Sequence, residues 1–214
     1  MRKLFLLAPL ALLLGAAAPA SLPPGTYTNE EDRYFAGERG DPAQADWLGI
    51  EVQQDGQWRS VDVFGKPLDE WRNSAIPGLS FADGGKLTVT GSKGMPTELR
   101  RGDPFTCWIS VKRHAAKPDG SPDWLFQRGM LLHDQGGRIA VGGGTSGAPG
   151  VIFRVRDVVW PATSTNKPSL VLYVHRPDEP DKAVSYVWAD PKADLIGINL
   201  RWVQGSCSRE GAKP

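Results

Sequence analysis

The sequence has few of the residues, and none of the motifs, from which common catalytic and metal centres are built. Its three histidines, His114, His133 and His175, lack the spacing of a metal site. Segment 144–148 resembles a serine-hydrolase elbow but ends in alanine, where that motif requires glycine. The glycine-rich segment 142–150 lacks the Lys-Ser/Thr ending of a phosphate loop. We therefore expect no metal and no cofactor.

Excess charge and long apolar runs are also missing. The 214 residues carry a formal charge of +1, which gives no basis for nucleic-acid binding. The one apolar run, residues 4–14, is too short to cross a bilayer. It follows Arg2 and Lys3 and precedes small residues at 18–20, a pattern typical of a secretory signal peptide. We expect residues 1–20 to be removed, which leaves a secreted or periplasmic chain without a membrane span.

The chain has only two cysteines, Cys107 and Cys207. In an exported protein, two cysteines favour a single disulfide, here closing a loop of about 100 residues. The alternative is two separate thiols.

Short alternating segments separated by glycine and proline predict about nine or ten strands and very little helix. The expected fold is all-β and antiparallel, either a calycin-like β-barrel or a β-sandwich. We expect a single domain over residues 21–208 and a disordered tail over 209–214. Asn29 is expected to cap a short helix, residues 68–73 to form a helical turn, and residues 91–103 to form a loop. The strand at residues 124–132 is apolar on both faces and is expected to be buried.

Asp55 and Gly56 predict a two-residue hairpin turn within residues 47–64. The register that follows pairs Ile50 with Val61 on an apolar face. The opposite face combines aromatic rings with polar groups, which suits a sugar or another polar ring. We therefore predict four ligand-binding residues there: Trp47, Glu51, Trp58 and Asp62. The alternative is that residues 68–74 cover this face.

The strand beginning at Phe105 alternates apolar and polar residues, so one of its faces lies on the core. Trp108 shares the other face with Thr106 and Ser110. An indole on a polar face is either a stacking platform for a ligand or is covered by another element. We include Trp108 among the predicted ligand-binding residues.

The segment at residues 133–138 contains the most reactive side chains of the sequence. His133 is a candidate general base, and Arg138 is a candidate stabiliser of an anion. His133 and Asp134 face opposite sides of a continuing strand, so their adjacency does not make them a dyad. The alternative is a structural corner in which Asp134 and Gln135 bond to turn amides.

The segments GTYTNEEDRYF and DWLGIEVQ resemble the opening of the T-type bilin lyases. The resemblance covers residues 25–64 and the region of Cys107, less than a third of the chain. The Asn-Glu-Glu-Asp run departs from that family, which usually has glutamine there. The resemblance implies a calycin-like barrel that holds a tetrapyrrole, and it supplies no site residue.

These observations predict an exported β-domain that binds a small molecule or a glycan without catalysis. One alternative is a hydrolase or lyase that uses His133 and Arg138. Another is a structural or protein-binding factor of the cell envelope.

Overall fold

The computed structural model describes residues 22–40, 46–81, 86–91 and 94–211. Within these ranges the chain forms fourteen strands and one α-helix, and the paired strands are antiparallel, which confirms the all-β class. The elements are β1 (Gly25–Thr28), α1 (Glu30–Glu38), β2 (Gly49–Val52), β3 (Trp58–Ser60), β4 (Leu79–Phe81), β5 (Leu87–Thr90), β6 (Pro96–Arg101), β7 (Pro104–Ala116), β8 (Pro122–His133), β9 (Gln135–Val141), β10 (Val151–Val158), β11 (Ser169–Arg176), β12 (Glu179–Ala189), β13 (Leu195–Asn199) and β14 (Val203–Arg209).

The first six strands form one sheet in the order β3-β2-β1-β6-β5-β4, called here the N-terminal sheet. Buried side chains alternate with more exposed ones along β5 and β6, as expected for a sheet with one face on a core. This core consists of Tyr27, Ile50, Val52, Trp58, Leu87, Val89 and Leu99. The N-terminal sheet therefore has a hydrophobic core of its own.

The remaining eight strands form two four-stranded sheets, β12-β11-β10-β9 and β13-β14-β7-β8, called here the C-terminal sheets. The last strand, β14, pairs with the first, β7, so the chain returns to where these sheets begin. This strand order is that of an up-and-down barrel, but no hydrogen-bonded ladder joins β8 to β9 or β12 to β13. Side chains from both sheets, including Phe105, Ile109, Phe153 and Leu172, fill the space between them.

The predicted disulfide between Cys107 and Cys207 is confirmed. The two residues are direct partners in the β7–β14 ladder, with Cα atoms 4.0 Å apart, and both are buried. The bond therefore lies inside the core between the C-terminal sheets and joins strands 100 residues apart in sequence.

The predicted register of the hairpin is wrong by one residue. Val52 pairs with Trp58, and the N–H of Gln53 donates to the carbonyl of Gln57 at 2.8 Å. The loop therefore has three residues and ends at Gly56, whose φ of 81° is in the left-handed region. A one-residue shift moves each side chain of the second strand to the other face. Trp58 consequently lies in the core, 4% exposed, rather than on the outer face.

Four other expectations about local structure are wrong. Residues 91–103 contain strand β6, whose Leu99 packs into the core of the N-terminal sheet. Residues 68–73 form no helical turn: the chain bends at residues 68–69 and then bridges to β3 through Arg72. Strand β8 is exposed along most of its length, since it lies at the edge of its sheet. Strand β14 extends to Arg209, one residue into the predicted tail.

Helix α1 joins the N-terminal sheet to the C-terminal sheets. Its first two residues, Glu30 and Glu31, form buried ion pairs with Arg154 and Arg156 on β10. Asn29 precedes the helix as predicted, but its side chain makes no capping bond. Instead, the Asn29 side-chain oxygen accepts from the N–H of Leu48 at 2.8 Å. The acidic first turn is thus used for contacts between the two parts of the molecule.

The predicted signal peptide and residues 212–214 of the predicted tail lie outside the described residues. In the part of the chain that is described, no helix is long and apolar enough to cross a membrane.

Candidate functional site

A cavity of about 380 Å³ lies where the N-terminal sheet meets the C-terminal sheets, and we call it the His133 cavity. Its lining comes from β1, β2, β6, β8 and β9, from Pro104 at the start of β7 and from Glu210 after β14, together with residues of the connecting loops. The side chains with polar or aromatic groups in this lining are Thr26, Glu51, Phe64, Arg101, His133, Arg138 and Glu210. The sequence-predicted residues Glu51, His133 and Arg138 are therefore brought together here.

His133 is held between two glycines at the end of β8. A Cβ atom added at Gly102 would lie 2.8 Å from the His133 Cβ, and one added at Gly137 would lie 2.7 Å from the His133 backbone nitrogen. Only glycine leaves room for the imidazole at this position. The His133 Nδ1 is buried without a hydrogen-bond partner among the described residues. Burial lowers the pKa of His133 to about 4, so the ring is neutral at pH 7.

Asp134 points away from the cavity and fixes the corner between β8 and β9. Its carboxylate accepts from the N–H of Asp103 at 2.8 Å and lies 3.4 Å from the guanidinium of Arg209. Burial raises the pKa of Asp134 to about 6. The bond to a backbone amide agrees with the structural interpretation of this corner. His133 and Asp134 do not form a dyad.

Arg138 reaches the cavity from β9, with a side chain that is 7% exposed. Its guanidinium donates to the carbonyl of Pro180 at 3.3 Å and to the carboxylate of Asp181 at 3.0 Å. The Asp181 side chain is 85% exposed, and the Arg138 Nε has no partner within the described residues. Arg138 is thus a buried cation whose one counter-ion faces solvent.

Glu51 on β2 and Arg101 on β6 lie on either side of β1 in the N-terminal sheet, and they bring opposite charges to the cavity. The Glu51 carboxylate pairs with Arg59 at 2.7 Å, and the Arg59 guanidinium lies 4.2 Å from the centre of the Trp71 ring. Arg101 donates through Nε and Nη2 to the carbonyl of Pro24. These contacts hold both side chains in place at the cavity.

The other predicted ligand-binding residues lie elsewhere. Trp47 and Trp58 line a separate, mostly apolar cavity of about 320 Å³ under the N-terminal sheet. The Asp62 carboxylate accepts from the N–H groups of Phe64 and Lys66, which stabilises a turn. Trp108 lies on the outer face of β7 and is 37% exposed. The continuous ligand face predicted from the hairpin is therefore not formed.

Sequence reasoning missed Arg101 and Glu210 as cavity residues. Arg101 was missed because residues 91–103 were assigned to a loop, although Thr97, Leu99 and Arg101 alternate as strand residues do. Glu210 follows β14 at the end of the described chain and was assigned to the tail. Its backbone N–H donates to the carbonyl of Pro104 at 2.9 Å, which places it beside β7.

The fold and the cavity define the chain as an all-β protein with a partly polar cavity between its sheets. Among the described residues, no group of three or more histidine, cysteine, aspartate or glutamate residues is arranged to hold a metal ion. Comparison of the chain with models of protein families, with curated proteins and with solved structures gives no match. The resemblance to the T-type bilin lyases therefore stays a prediction.

Proposed function

We propose that this chain is an exported β-domain that binds a small polar molecule or a glycan in the His133 cavity without converting it. The observation that carries the proposal is the convergence of Glu51, Arg101, His133 and Arg138 on one cavity. These residues come from four strands, and nothing in the packing of a core requires polar groups to meet in this way. The buried disulfide supports export, because such bonds persist in oxidising compartments.

The chemistry of the cavity suits a polar ring. Carboxylates accept from hydroxyl groups, and guanidinium groups donate to ring and hydroxyl oxygens. Phe64, which is 45% exposed, supplies an apolar surface beside them. The volume of about 380 Å³ falls in the range of small-molecule sites, roughly 300–1,000 Å³.

The surroundings of His133 support binding more than catalysis. A histidine is a stronger general base when a carboxylate orients its ring and stabilises the protonated imidazole. His133 has no such partner in the described part of the chain, and a pKa of about 4 makes the ring a weak base. A hydrolase or lyase that uses His133 and Arg138 is the rival proposal, and it requires the ligand itself to supply the missing partner.

A row of exposed side chains on β12 favours a protein-binding role as a second candidate. Val184, Tyr186 and Trp188 occupy alternate positions of the strand and are 42%, 54% and 55% exposed. The Tyr186 and Trp188 rings contact each other, with centroids 5.7 Å apart. Aromatic residues of this kind are enriched at protein interfaces. Retention of an envelope protein by the wild type, lost in Tyr186→Ala, would support this candidate.

The test of the cavity uses a matched pair of carboxylate variants. A glycan array identifies ligands, and calorimetry then measures their affinity for the wild type, Glu51→Gln and Glu98→Gln. Glu98 is also a partly exposed carboxylate paired with arginine, but it lies outside the cavity. Loss of a charged hydrogen bond should weaken binding by about tenfold or more in Glu51→Gln alone. Equal binding by both variants, or no ligand at all, would reject the cavity.

The same ligands test for turnover. Prolonged incubation with the wild type, followed by product analysis, should recover them unchanged. A product formed by the wild type and absent with His133→Ala would favour the rival hydrolase or lyase.

A further inference from the structure

The outer face of β7 and β8 holds two exposed aromatic rings in contact. Trp108 and Phe126 are 37% and 47% exposed, with ring centroids 5.7 Å apart. The guanidinium carbon of Arg128 lies 5.0 Å from the centre of the Phe126 ring. These three residues line a shallow depression of about 330 Å³, and we call them the Trp108 platform. Phe126 pairs with Ser110 in the β7–β8 ladder, and Trp108 lies opposite a bulge of β8, where the register shifts between Cys107 and Ile109.

The strands beside the Trp108 platform carry small residues. Ser206 on β14 is the direct ladder partner of Trp108, and Gly197 on β13 is the partner of Ser206. Across the strands, the indole of Trp108 is therefore followed by the small side chain of Ser206 and then by Gly197, which has no side chain. Gln204 and Ser208 lie on the same face, two residues to either side of Ser206. This surface combines a stacking ring with hydrogen-bonding groups, and it leaves an open path across the strands.

The charges near the Trp108 platform are mostly positive. Lys112, Arg128 and Arg201 are exposed, and none forms an ion pair with a residue in the described ranges. Lys112 lies on the same face of β7 as Trp108, and its N–H donates to the carbonyl of Trp202, the residue after Arg201. The nearby carboxylate of Asp123 is neutralised by Arg113 at 3.2 Å.

One carboxylate lies at the opposite end of this face. Glu210 accepts from the hydroxyl of Thr106 at 3.3 Å. Thr106 and Lys112 lie on opposite sides of Trp108 along β7, so Glu210 is at the end away from Lys112. The positive charge is therefore concentrated on the Lys112 side of the Trp108 platform. This distribution is complementary to a chain that carries negative charge.

We propose that the Trp108 platform binds a linear acidic polysaccharide, such as a chain of uronic acid sugars. The pyranose rings stack on Trp108 and Phe126, the hydroxyl groups bond to Ser206 and Gln204, and the carboxylates face Arg128 and Lys112. The depression is too shallow and its border too polar for the buried apolar centre of a stable protein interface. This surface is separate from the His133 cavity, so the two proposals stand or fall independently.

The test is affinity electrophoresis of the whole protein in gels that contain polygalacturonate, with dextran gels as the neutral comparison. The wild type should be retarded by polygalacturonate only, and less so as salt increases, because salt screens the charges. Trp108→Ala should weaken the apparent affinity by about tenfold or more, as expected for the loss of one stacked ring. Arg128→Gln should weaken it and reduce its dependence on salt.

Matched controls separate this surface from others. Trp188→Ala removes another exposed tryptophan and Arg176→Gln another exposed arginine, and both should bind like the wild type. Glu51→Gln should also bind, because it changes only the His133 cavity. Equal retardation by dextran, equal loss in Trp188→Ala, or binding of a thymidine oligonucleotide in preference to polygalacturonate would overturn the proposal.

Discussion

The side chain of Trp58, on β3, lies in the core of the N-terminal sheet. Its indole N–H donates to the carbonyl of Ser74 at 2.8 Å, and the guanidinium carbon of Arg72 lies 4.8 Å from the centre of its ring. Because the residue is 4% exposed, its truncation leaves a cavity in a packed core. We expect Trp58→Ala to lower the free energy of unfolding by about 3–5 kcal/mol. Urea denaturation followed by circular dichroism measures this loss.

Trp108→Ala is the matched control for Trp58→Ala. Its indole is exposed on a strand, so we expect a change within about 0.5 kcal/mol, as for other surface substitutions. A small effect of Trp58→Ala, similar to that of the control, would contradict the register observed for the hairpin.

The outcome at Trp58 shows which part of the hairpin could be predicted. The strands and the turn position follow from alternation and from Asp55-Gly56. The loop length does not, because the same two residues fit a two-residue turn and a three-residue loop. Here the Asp55 carboxylate accepts from the N–H of Gln57 at 3.0 Å, and Gly56 takes the left-handed conformation. That local choice reverses the faces of Trp58 and Arg59.

Glu31 is 2% exposed and pairs with Arg156 at 2.6 Å. The Arg156 guanidinium also lies 3.6 Å from the centre of the Tyr34 ring. Replacing Glu31 by glutamine leaves Arg156 as a buried charge without a counter-ion. We expect Glu31→Gln to destabilise the protein by about 3–5 kcal/mol, measured by urea denaturation.

Two further variants test this explanation. Glu179→Gln removes a carboxylate from an exposed pair with Lys182 and should cost less than about 1 kcal/mol. The double variant Glu31→Met with Arg156→Leu removes both buried charges and should recover most of the stability lost in Glu31→Gln. If the double variant is less stable than Glu31→Gln, the loss does not come from the uncompensated charge.

At the scale of elements, the disulfide joins β7 to β14 inside the core of the C-terminal sheets. The variant with both Cys107→Ala and Cys207→Ala removes this link and two buried sulfur atoms. We expect it to lose about 2–5 kcal/mol of stability, as is usual when a native disulfide is removed. Thiol labelling of the wild type should fail in denaturant and succeed only after reduction. Labelling without reductant would contradict the disulfide.

Elements whose two faces differ clearly were predictable, and the others were not. Strand β7 alternates apolar and polar residues, and its start and its core face could be predicted, although it extends to Ala116, beyond the predicted end at Lys112. Strand β6 has Leu99 as its only large apolar residue, so the alternation of Thr97, Leu99 and Arg101 is a weak local signal for a strand. Thr97 is nevertheless buried, because its hydroxyl bonds to the Asp32 carboxylate of helix α1. Such a strand is specified by a distant partner rather than by its own pattern.

At the scale of the whole molecule, buried titratable groups make stability depend on pH in two opposing ways. Burial, aided by Arg154 and Arg138, lowers the pKa of His175 to about 4 from an ordinary 6.5, and burial lowers the pKa of His133 to about the same value. The unfolded chain therefore takes up a proton first as the pH falls, and stability decreases between pH 6.5 and 4. Asp134, with a pKa raised to about 6, has the opposite effect over pH 6 to 4.

Two substitutions separate these contributions. His175→Asn should reduce the loss of unfolding free energy between pH 6.5 and pH 4, by up to about 3 kcal/mol at pH 4. Asp134→Asn should make the same fall steeper, because it removes the opposing group. His114→Asn, at an exposed site, is the control. Denaturation curves at pH 7, 6, 5 and 4 measure the slopes, and equal slopes for all three variants would contradict this account.

The His133 cavity could be predicted only in pieces. His133 and Arg138 were identified from their chemical types as candidate catalytic residues, and Glu51 as a ligand-binding residue of the hairpin face. Their meeting depends on contacts between the two parts of the molecule, such as the bond from the Arg138 N–H to the carbonyl of Val63. Hydrophobic periodicity specifies which face of a strand is buried, but not which strand of another sheet lies opposite.

The pairing of β14 with β7 also constrains the order of biosynthesis. Strand β7 has its second partner only after another hundred residues have been made, so the core between the C-terminal sheets cannot close before β14 has been synthesised. Until then the Cys107 thiol has no partner, and one edge of β7 is free to pair with other chains. The disulfide can therefore form only after β14 has been made, and an oxidant that acts before then has no correct partner to join to Cys107.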